Sequence, residues 1–150
     1  MSELIKQQFV RTRQALSKTL EDVSPEVFAT IPEGFNNNIH WQLGHILSTG
    51  DFFMFFGQQK LPASYNEIFG NGTKPADWDS DVPSVETLLE QLNEQLAQIQ
   101  ALPSEVFSKE LPKTILGNKT TGELASMGAY HEAMHVGQIQ AMKCVVEANK

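Results

Sequence analysis

Two of the four histidines in the chain, His131 and His135, are separated by four positions. In an α-helix this spacing places two side chains on one face, with their Cβ atoms about 5–6 Å apart. Two neutral imidazoles at that distance can chelate one metal ion, but two ligands alone make a weak site. The spacing therefore predicts a metal site that takes a third ligand from another part of the chain.

His45 is the better candidate for the third ligand, because it lies inside an apolar stretch where a buried ring nitrogen would otherwise lack a partner. His40 lies five residues earlier, about 140° around a helix, and is interpreted as a solvent-exposed residue of the first turn. Three neutral imidazoles suit Zn²⁺ or Ni²⁺ and leave a fourth coordination position for water or substrate. The predicted metal ligands are His45, His131 and His135.

The stretch from His131 to His135 also matches the His-Glu-x-x-His motif of zinc peptidases, in which the glutamate is the general base. The extended form of that motif requires glycine and histidine where this chain has Gln138 and Ala141. No strand is predicted that could align a peptide substrate. A peptidase is therefore rejected. Glu132 is interpreted as a surface residue or as a residue that contacts a metal ligand without binding the metal itself.

Several other residues near the histidines have two interpretations. Gly128 could leave space for a ligand or allow close helix packing, and Gln138 could orient a bound group or the His135 ring. The aromatic run 52–56 could form a pocket wall, a dimer contact or plain core. Cys144 falls on roughly the opposite face from His135 and is not expected to act as ligand or nucleophile. The inner face of the last helix is expected to carry Leu124, Met127, Gly128, Met134, Gln138, Ile139 and Met142.

Four segments with helical periodicity carry these residues, and no segment alternates with the period of two that is typical of a half-buried strand. Asn38 and Ser84 are natural N-caps, and Thr120 with Glu123 forms a capping box. A short helical turn is expected after Ser24. The predicted helices span about residues 3–21, 39–56, 85–102 and 120–147.

The second helix is too apolar to have only one buried stripe, so it must be covered on more than one side. A long polar segment, 57–83, follows it and is predicted to be an irregular crossover with a short turn. Such a crossover lets helices two and three run parallel. The sequence predicts an all-α protein, a four-helix bundle that forms a single domain over residues 1–150.

Composition excludes several classes of protein. With 41% hydrophobic and 19% charged residues, the 150-residue chain can bury a core, and its net charge of −7 argues against a nucleic-acid partner. The longest apolar run, 52–56, is far shorter than the roughly 20 residues of a membrane span. The single cysteine, Cys144, and the lack of an apolar signal segment near the start predict a cytoplasmic location.

Two stretches resemble the signatures of a known family. Residues 38–46, Asn-Ile-His-Trp-Gln-Leu-Gly-His-Ile, are similar to the helix-two signature of the DinB-like superfamily, and residues 131–139, His-Glu-Ala-Met-His-Val-Gly-Gln-Ile, to its helix-four signature. The resemblance implies a four-helix bundle with up-down-down-up topology. It also implies a divalent metal held by one histidine from helix two and two from the last helix, which by position are His45, His131 and His135.

The resemblance also implies a chemistry. Similar members with an assigned activity include bacillithiol transferases and mycothiol-dependent maleylpyruvate isomerases, in which the metal lowers the pKa of a low-molecular-weight thiol and so presents a thiolate to a small-molecule electrophile. This chain has no arginine cluster near its histidines, since Arg11 and Arg13 are its only arginines. A metal-binding stress-response bundle without turnover and a metal-dependent hydrolase remain alternatives. The aromatic end of helix two favours a homodimer.

Overall fold

The computed structural model describes residues 1–79 and 81–150 of the chain. Its described part contains six α-helices, of which four are long, and one small β-hairpin. Two 3-10 turns, Pro75–Asp77 and Ser104–Ser108, lie in the connections. The α-helices are α1 (Ser2–Leu20), α2 (Pro25–Ala29), α3 (Ile39–Met54), α4 (Ser64–Phe69), α5 (Val85–Ala101) and α6 (Thr121–Ala148).

The predicted caps start the long helices. The side chain of Asn38 accepts a hydrogen bond from the backbone N–H of Trp41 at 2.8 Å and so fixes the start of α3. Ser84 caps α5 in the same way. At the start of α6, Thr120 and Glu123 form the expected reciprocal capping box. The four long helices therefore begin and end within about two residues of their predicted bounds.

The four long helices form a bundle in which α3 and α5 run parallel, as predicted. The His40 ring contacts the Pro83 carbonyl near the start of both helices, and the Gln95 amide donates to the Leu47 carbonyl further along them. Helix α6 runs antiparallel to α3 and parallel to α1, as seen in the neighbouring pairs Gln42–Gln138 and Phe53–Gly128, and Thr12–Glu132 and Thr19–Lys143. The topology is up-down-down-up.

The crossover between α3 and α5 contains the short helix α4 and one 3-10 turn, which matches the expected irregular segment with a short turn. In the core, the α3 residues Ile39, Leu43 and Leu47 are fully buried, since α4, α5 and α6 cover α3 on several sides. Met127 and Met134, expected on the inner face of α6, are instead exposed. Among the helices of the described residues, none has the length and apolar character that a membrane crossing requires.

A hairpin that the sequence analysis missed precedes α6. Strands β1 (Glu110–Ile115) and β2 (Asn118–Thr120) pair antiparallel through a tight turn at Leu116 and Gly117, whose φ angles are 51° and 83°. The expectation of no strands was wrong here. The reason is that Leu111 alone is buried in β1, so the strand lacks the alternation by which strands are recognised.

Candidate metal centre

The three histidines predicted as ligands lie together between α3 and α6. Ring nitrogens of His45, His131 and His135 are all within 4.8 Å of one another, and the Nε2 atoms of His131 and His135 are 3.2 Å apart. The four-residue spacing on α6 brings two of the rings together, and the antiparallel packing of α3 brings the third. The structure thus brings the three predicted residues into one group that could hold a metal ion.

A backbone carbonyl from the crossover orients the His45 ring. Nδ1 of His45 is 2.7 Å from the carbonyl oxygen of Phe69, at the end of α4. Because a carbonyl oxygen only accepts hydrogen bonds, Nδ1 must carry the proton, and Nε2 keeps its lone pair. The Trp41 ring stacks on the face of the His45 ring, with the two ring centroids 4.6 Å apart and the planes 12° from parallel. The protein therefore fixes both the tautomer and the plane of His45.

A side-chain amide orients the His135 ring in the same manner. Nδ1 of His135 is 2.7 Å from Oε1 of Gln42, and the Gln42 amide nitrogen donates to Asn37 at 3.1 Å and to Gln138 at 2.9 Å. The two hydrogen bonds that the amide donates show which of its atoms is the nitrogen. The amide oxygen must therefore face the ring and accept a hydrogen bond from Nδ1–H. The lone pair of His135 Nε2 is thereby left for the histidine group.

His131 is the least constrained ring of the three. Its Nδ1 is buried and has no hydrogen-bond partner within the described residues, while its Nε2 contacts only His135. The Phe53 ring packs beside it, with centroids 5.5 Å apart. A buried nitrogen without a partner is unfavourable unless another group satisfies the ring. Metal coordination through Nδ1 of His131 would supply that partner, whereas coordination through Nε2, which faces His135, would not.

The site keeps its imidazoles neutral. Burial lowers the pKa of His45, His131 and His135 below the ordinary value, and for His135 burial together with the neighbouring histidines lowers it to about 3. At pH 7 the lone pairs are therefore available. Three neutral imidazoles, two of them held by donated Nδ1–H bonds, fit a divalent cation such as Zn²⁺ or Ni²⁺.

Two glycines make the close packing of this site possible. A Cβ on Gly44 would lie 2.2 Å from the Phe69 ring, so only glycine allows α4 to approach α3 closely enough for the Phe69 carbonyl to reach His45. A Cβ on Gly128 would lie 2.6 Å from the Cβ of Phe53. Of the two interpretations of Gly128, the structure supports close packing of α3 against α6.

Glu132 is neither on the surface nor in contact with the histidines, so both interpretations given to it were wrong. It is 3% exposed and pairs with Arg13 at 2.8 Å on the α1 side of α6. Thr12 also donates to its carboxylate, and Arg13 further donates to Gln95 and to the Leu92 carbonyl. Glu132 therefore belongs to a buried polar network that joins the long helices.

His40 also differs from its prediction. It is half-buried, and its Nε2 lies 2.8 Å from the Pro83 carbonyl while its ring meets the edge of Trp78 at 4.9 Å. Its contacts link the start of α3 to the end of the crossover and not to the histidine group. Cys144 is exposed and does not belong to the group of three histidines.

Sequence reasoning missed Gln42, the residue that orients His135. Gln138, expected to orient a bound group or the His135 imidazole, accepts a hydrogen bond at its Oε1 from Gln42, which contacts the His135 ring. One signal was available: Gln42 is an amide side chain within an apolar helix, three residues before His45, and a buried amide requires hydrogen-bond partners. The carbonyl of Phe69 gave no signal, because any residue has one.

A solved structure of a conserved protein from Enterococcus faecalis has the same fold. It is 17% identical in sequence, with a TM-score of 0.71, and the match covers 99% of this chain and 98% of that chain. No curated protein sequence matches the chain. The family described as the DinB superfamily matches residues 8–139, which is most of the sequence. The chain therefore belongs to the DinB superfamily.

Proposed function

We propose that the protein binds one divalent cation, Zn²⁺ or Ni²⁺, through His45, His131 and His135. The observation that carries this proposal is the meeting of three ring nitrogens within 4.8 Å. The Nδ1–H groups of His45 and His135 donate hydrogen bonds to the Phe69 carbonyl and to Oε1 of Gln42. The Nε2 lone pairs of both rings are therefore free to face the proposed metal position. Three protein ligands leave a further coordination position for a small molecule.

For the reaction, we propose transfer of a low-molecular-weight thiol to an electrophilic small molecule. A bound divalent cation would lower the pKa of the thiol. The thiol gives its proton to solvent, its sulfur lone pair forms a bond to the electrophilic carbon, and the leaving group departs with the electron pair of the broken bond. The three histidines would hold the cation, and the Phe53 ring packs beside His131. The choice of this reaction rests on membership of the DinB superfamily.

The metal content of the purified, untreated protein tests the first proposal. We expect about one divalent ion per chain by elemental analysis, and loss of the ion in His131→Ala and His135→Ala. His40→Gln is the matched control, because His40 lies on α3 but contacts Pro83 and Trp78 instead of the histidine group. A full complement of metal in both alanine variants would contradict the proposed site.

Turnover is tested with bacillithiol, glutathione, cysteine and the neutral phenylmethanethiol as thiols and with monochlorobimane as electrophile. We expect transfer by the metal-loaded wild type and none by His135→Ala. Metal-loaded protein that transfers no thiol would favour the alternative of a metal-binding bundle without turnover. Hydrolysis in a screen without thiol would favour a metal-dependent hydrolase.

A cytoplasmic homodimer is the form in which we propose the protein acts. Phe52 and Phe56, at the aromatic end of α3, are half-buried and could contact a second copy. Sedimentation equilibrium of the wild type measures the oligomeric state directly. A monomer at micromolar concentration would contradict this proposal and leave the metal site unaffected, because all three proposed ligands come from one chain.

A further inference from the structure

The histidine group has one accessible edge, at His131. His45 and His135 are 3% and 8% exposed, whereas His131 is half-buried. Met127 and Met134 lie about one turn before and after His131 on the same helix surface, and they are 36% and 43% exposed. A molecule that reaches the three ring nitrogens from solvent therefore passes beside two methionine side chains.

The α3 side of this edge is aromatic. The Phe53 ring lies 5.5 Å from the His131 ring, Phe52 meets Phe53 edge-to-face at 5.2 Å, and Phe56 meets Phe52 at 5.6 Å. Phe52 and Phe56 are half-buried, so this row of rings extends from the histidines towards the surface. Together with the methionines, it gives the approach to the site an apolar surface on both helices.

The two helix segments that form this approach have no free charge. Over residues 39–54 and 124–142 the only Asp, Glu, Lys or Arg residues are Asp51 and Glu132, and both are buried. Asp51 accepts hydrogen bonds from the backbone N–H groups at positions 60 and 61, and Glu132 pairs with Arg13. Neither helix segment can therefore form an ion pair with a carboxylate on an incoming thiol.

The crossover adds negative charge on the His45 side. Trp78 packs on Phe69, whose carbonyl holds His45, and Trp78 also lines a surface cavity of about 560 Å³. The charged residues that line this cavity, among those described, are Glu67, Lys74, Asp77, Asp79 and Asp81. Four acids against one lysine, in a chain with a net charge of −7, disfavour the approach of anions.

From these features we infer that the metal centre selects neutral, apolar thiols over thiols that carry a carboxylate. This inference rests on the proposed function, because it concerns the thiol that the same site would take. It names Met127, Met134 and the row Phe52, Phe53 and Phe56 as the surface that sets the preference. An anionic thiol would lose hydration beside these side chains without gaining a cationic partner from either helix segment.

Binding of two matched thiols to the Co²⁺-loaded protein tests the inference without requiring turnover. Phenylmethanethiol is neutral, and 4-(mercaptomethyl)benzoate differs from it by one carboxylate. The sulfur-to-cobalt charge-transfer band, titrated at pH 7, gives a dissociation constant for each. We expect the neutral thiol to bind at least about tenfold more tightly. Equal affinity, or tighter binding of the benzoate, would overturn the inference.

A substitution at the exposed Met134 then tests whether the surface beside His131 sets the preference for neutral thiols. Met134→Lys places an ammonium group near His131 and is expected to shift the ratio of the two constants about two- to fivefold towards the benzoate. Met134→Leu is the control and should keep the wild-type ratio. A lysine variant with an unchanged ratio would contradict the role given to this surface.

The same experiment distinguishes failure of the proposed function from failure of the inferred thiol preference. Loss of the charge-transfer band for both thiols, with cobalt still bound, would contradict the thiol chemistry. Absence of cobalt binding by the folded wild type would contradict the metal site itself. In either case the inference falls with the proposal on which it rests.

Discussion

The side-chain oxygen of Gln42 lies 2.7 Å from Nδ1 of His135 and accepts a hydrogen bond from it, although the two residues are 93 positions apart. Gln42 is almost completely buried, and its amide nitrogen is fully used by Asn37 and Gln138. The Gln42 amide group therefore cannot flip without breaking these two hydrogen bonds. Gln42 thus determines which nitrogen of His135 faces the other histidines.

Replacement of Gln42 should weaken metal binding although the residue contacts no proposed coordination position. We expect Gln42→Leu to lower the affinity for Zn²⁺ about 10- to 100-fold, because the His135 ring loses its orientation. Gln42→Glu keeps an acceptor for His135 and should lose less. Competition with a chromophoric chelator measures both affinities. Gln7→Leu, at an exposed position on α1, is the control; wild-type affinity in Gln42→Leu would contradict the orienting role.

The metal-free protein should become less stable as the pH falls from about 6.5 towards 3. Burial and the neighbouring histidines lower the pKa of His135 from 6.5 to about 3, so in this range the unfolded chain binds a proton that the folded chain does not. Stability therefore rises with pH within this window and is independent of this group above it. Thermal midpoints across the range should fall less steeply in His135→Gln than in the wild type. Parallel curves would contradict the lowered pKa.

Glu132 should be required for stability and not for metal binding. Glu132→Leu alone leaves the Arg13 guanidinium buried without its carboxylate and should cost about 3–5 kcal/mol in the free energy of unfolding. The double variant Arg13→Met with Glu132→Leu should recover much of this loss. Denaturant unfolding measures these energies, and elemental analysis should find wild-type metal content in the folded double variant. Loss of metal there would indicate a direct role for Glu132.

Gly44→Ala should displace the short helix α4 from α3. The new methyl group would lie 2.2 Å from the Phe69 ring, and overpacking of this kind costs about 1–3 kcal/mol. Because the Phe69 carbonyl would move with its ring, metal affinity should fall as well. Gly137→Ala is the control, since a Cβ there meets nothing within 4 Å and should stabilise α6 by about 0.5–1 kcal/mol. Equal effects of the two substitutions would contradict this account.

Local patterns were sufficient to predict the long helices and the group of three histidines. Caps such as Asn38 and Thr120 act within a single turn, and the spacing of His131 and His135 places them on one face of any helix. His45 was selected because an apolar helix leaves an imidazole without partners. The hairpin before α6 was missed because Leu111 alone is buried in β1, which leaves no periodicity to detect.

The partners of buried polar groups were decided by tertiary packing. Glu132 and Arg13 look like ordinary surface charges of two amphipathic helices, yet they pair in the interior because α1 and α6 pack in parallel. His40 similarly acquires Pro83 and Trp78 as neighbours only because the crossover ends beside α3. Hydrogen bonds between residues far apart in sequence leave no periodic trace by which they could be predicted.

The sequence by itself determined that four amphipathic or apolar helices would form and that three imidazoles would be available on two of them, because these properties depend on residue type and helical period. Tertiary structure alone decided how the rings are held: the Phe69 carbonyl fixes His45, and Gln42 fixes His135. The physical reason is that a hydrogen bond needs two groups within about 3 Å, and only the packing of α4 and α6 against α3 sets those distances.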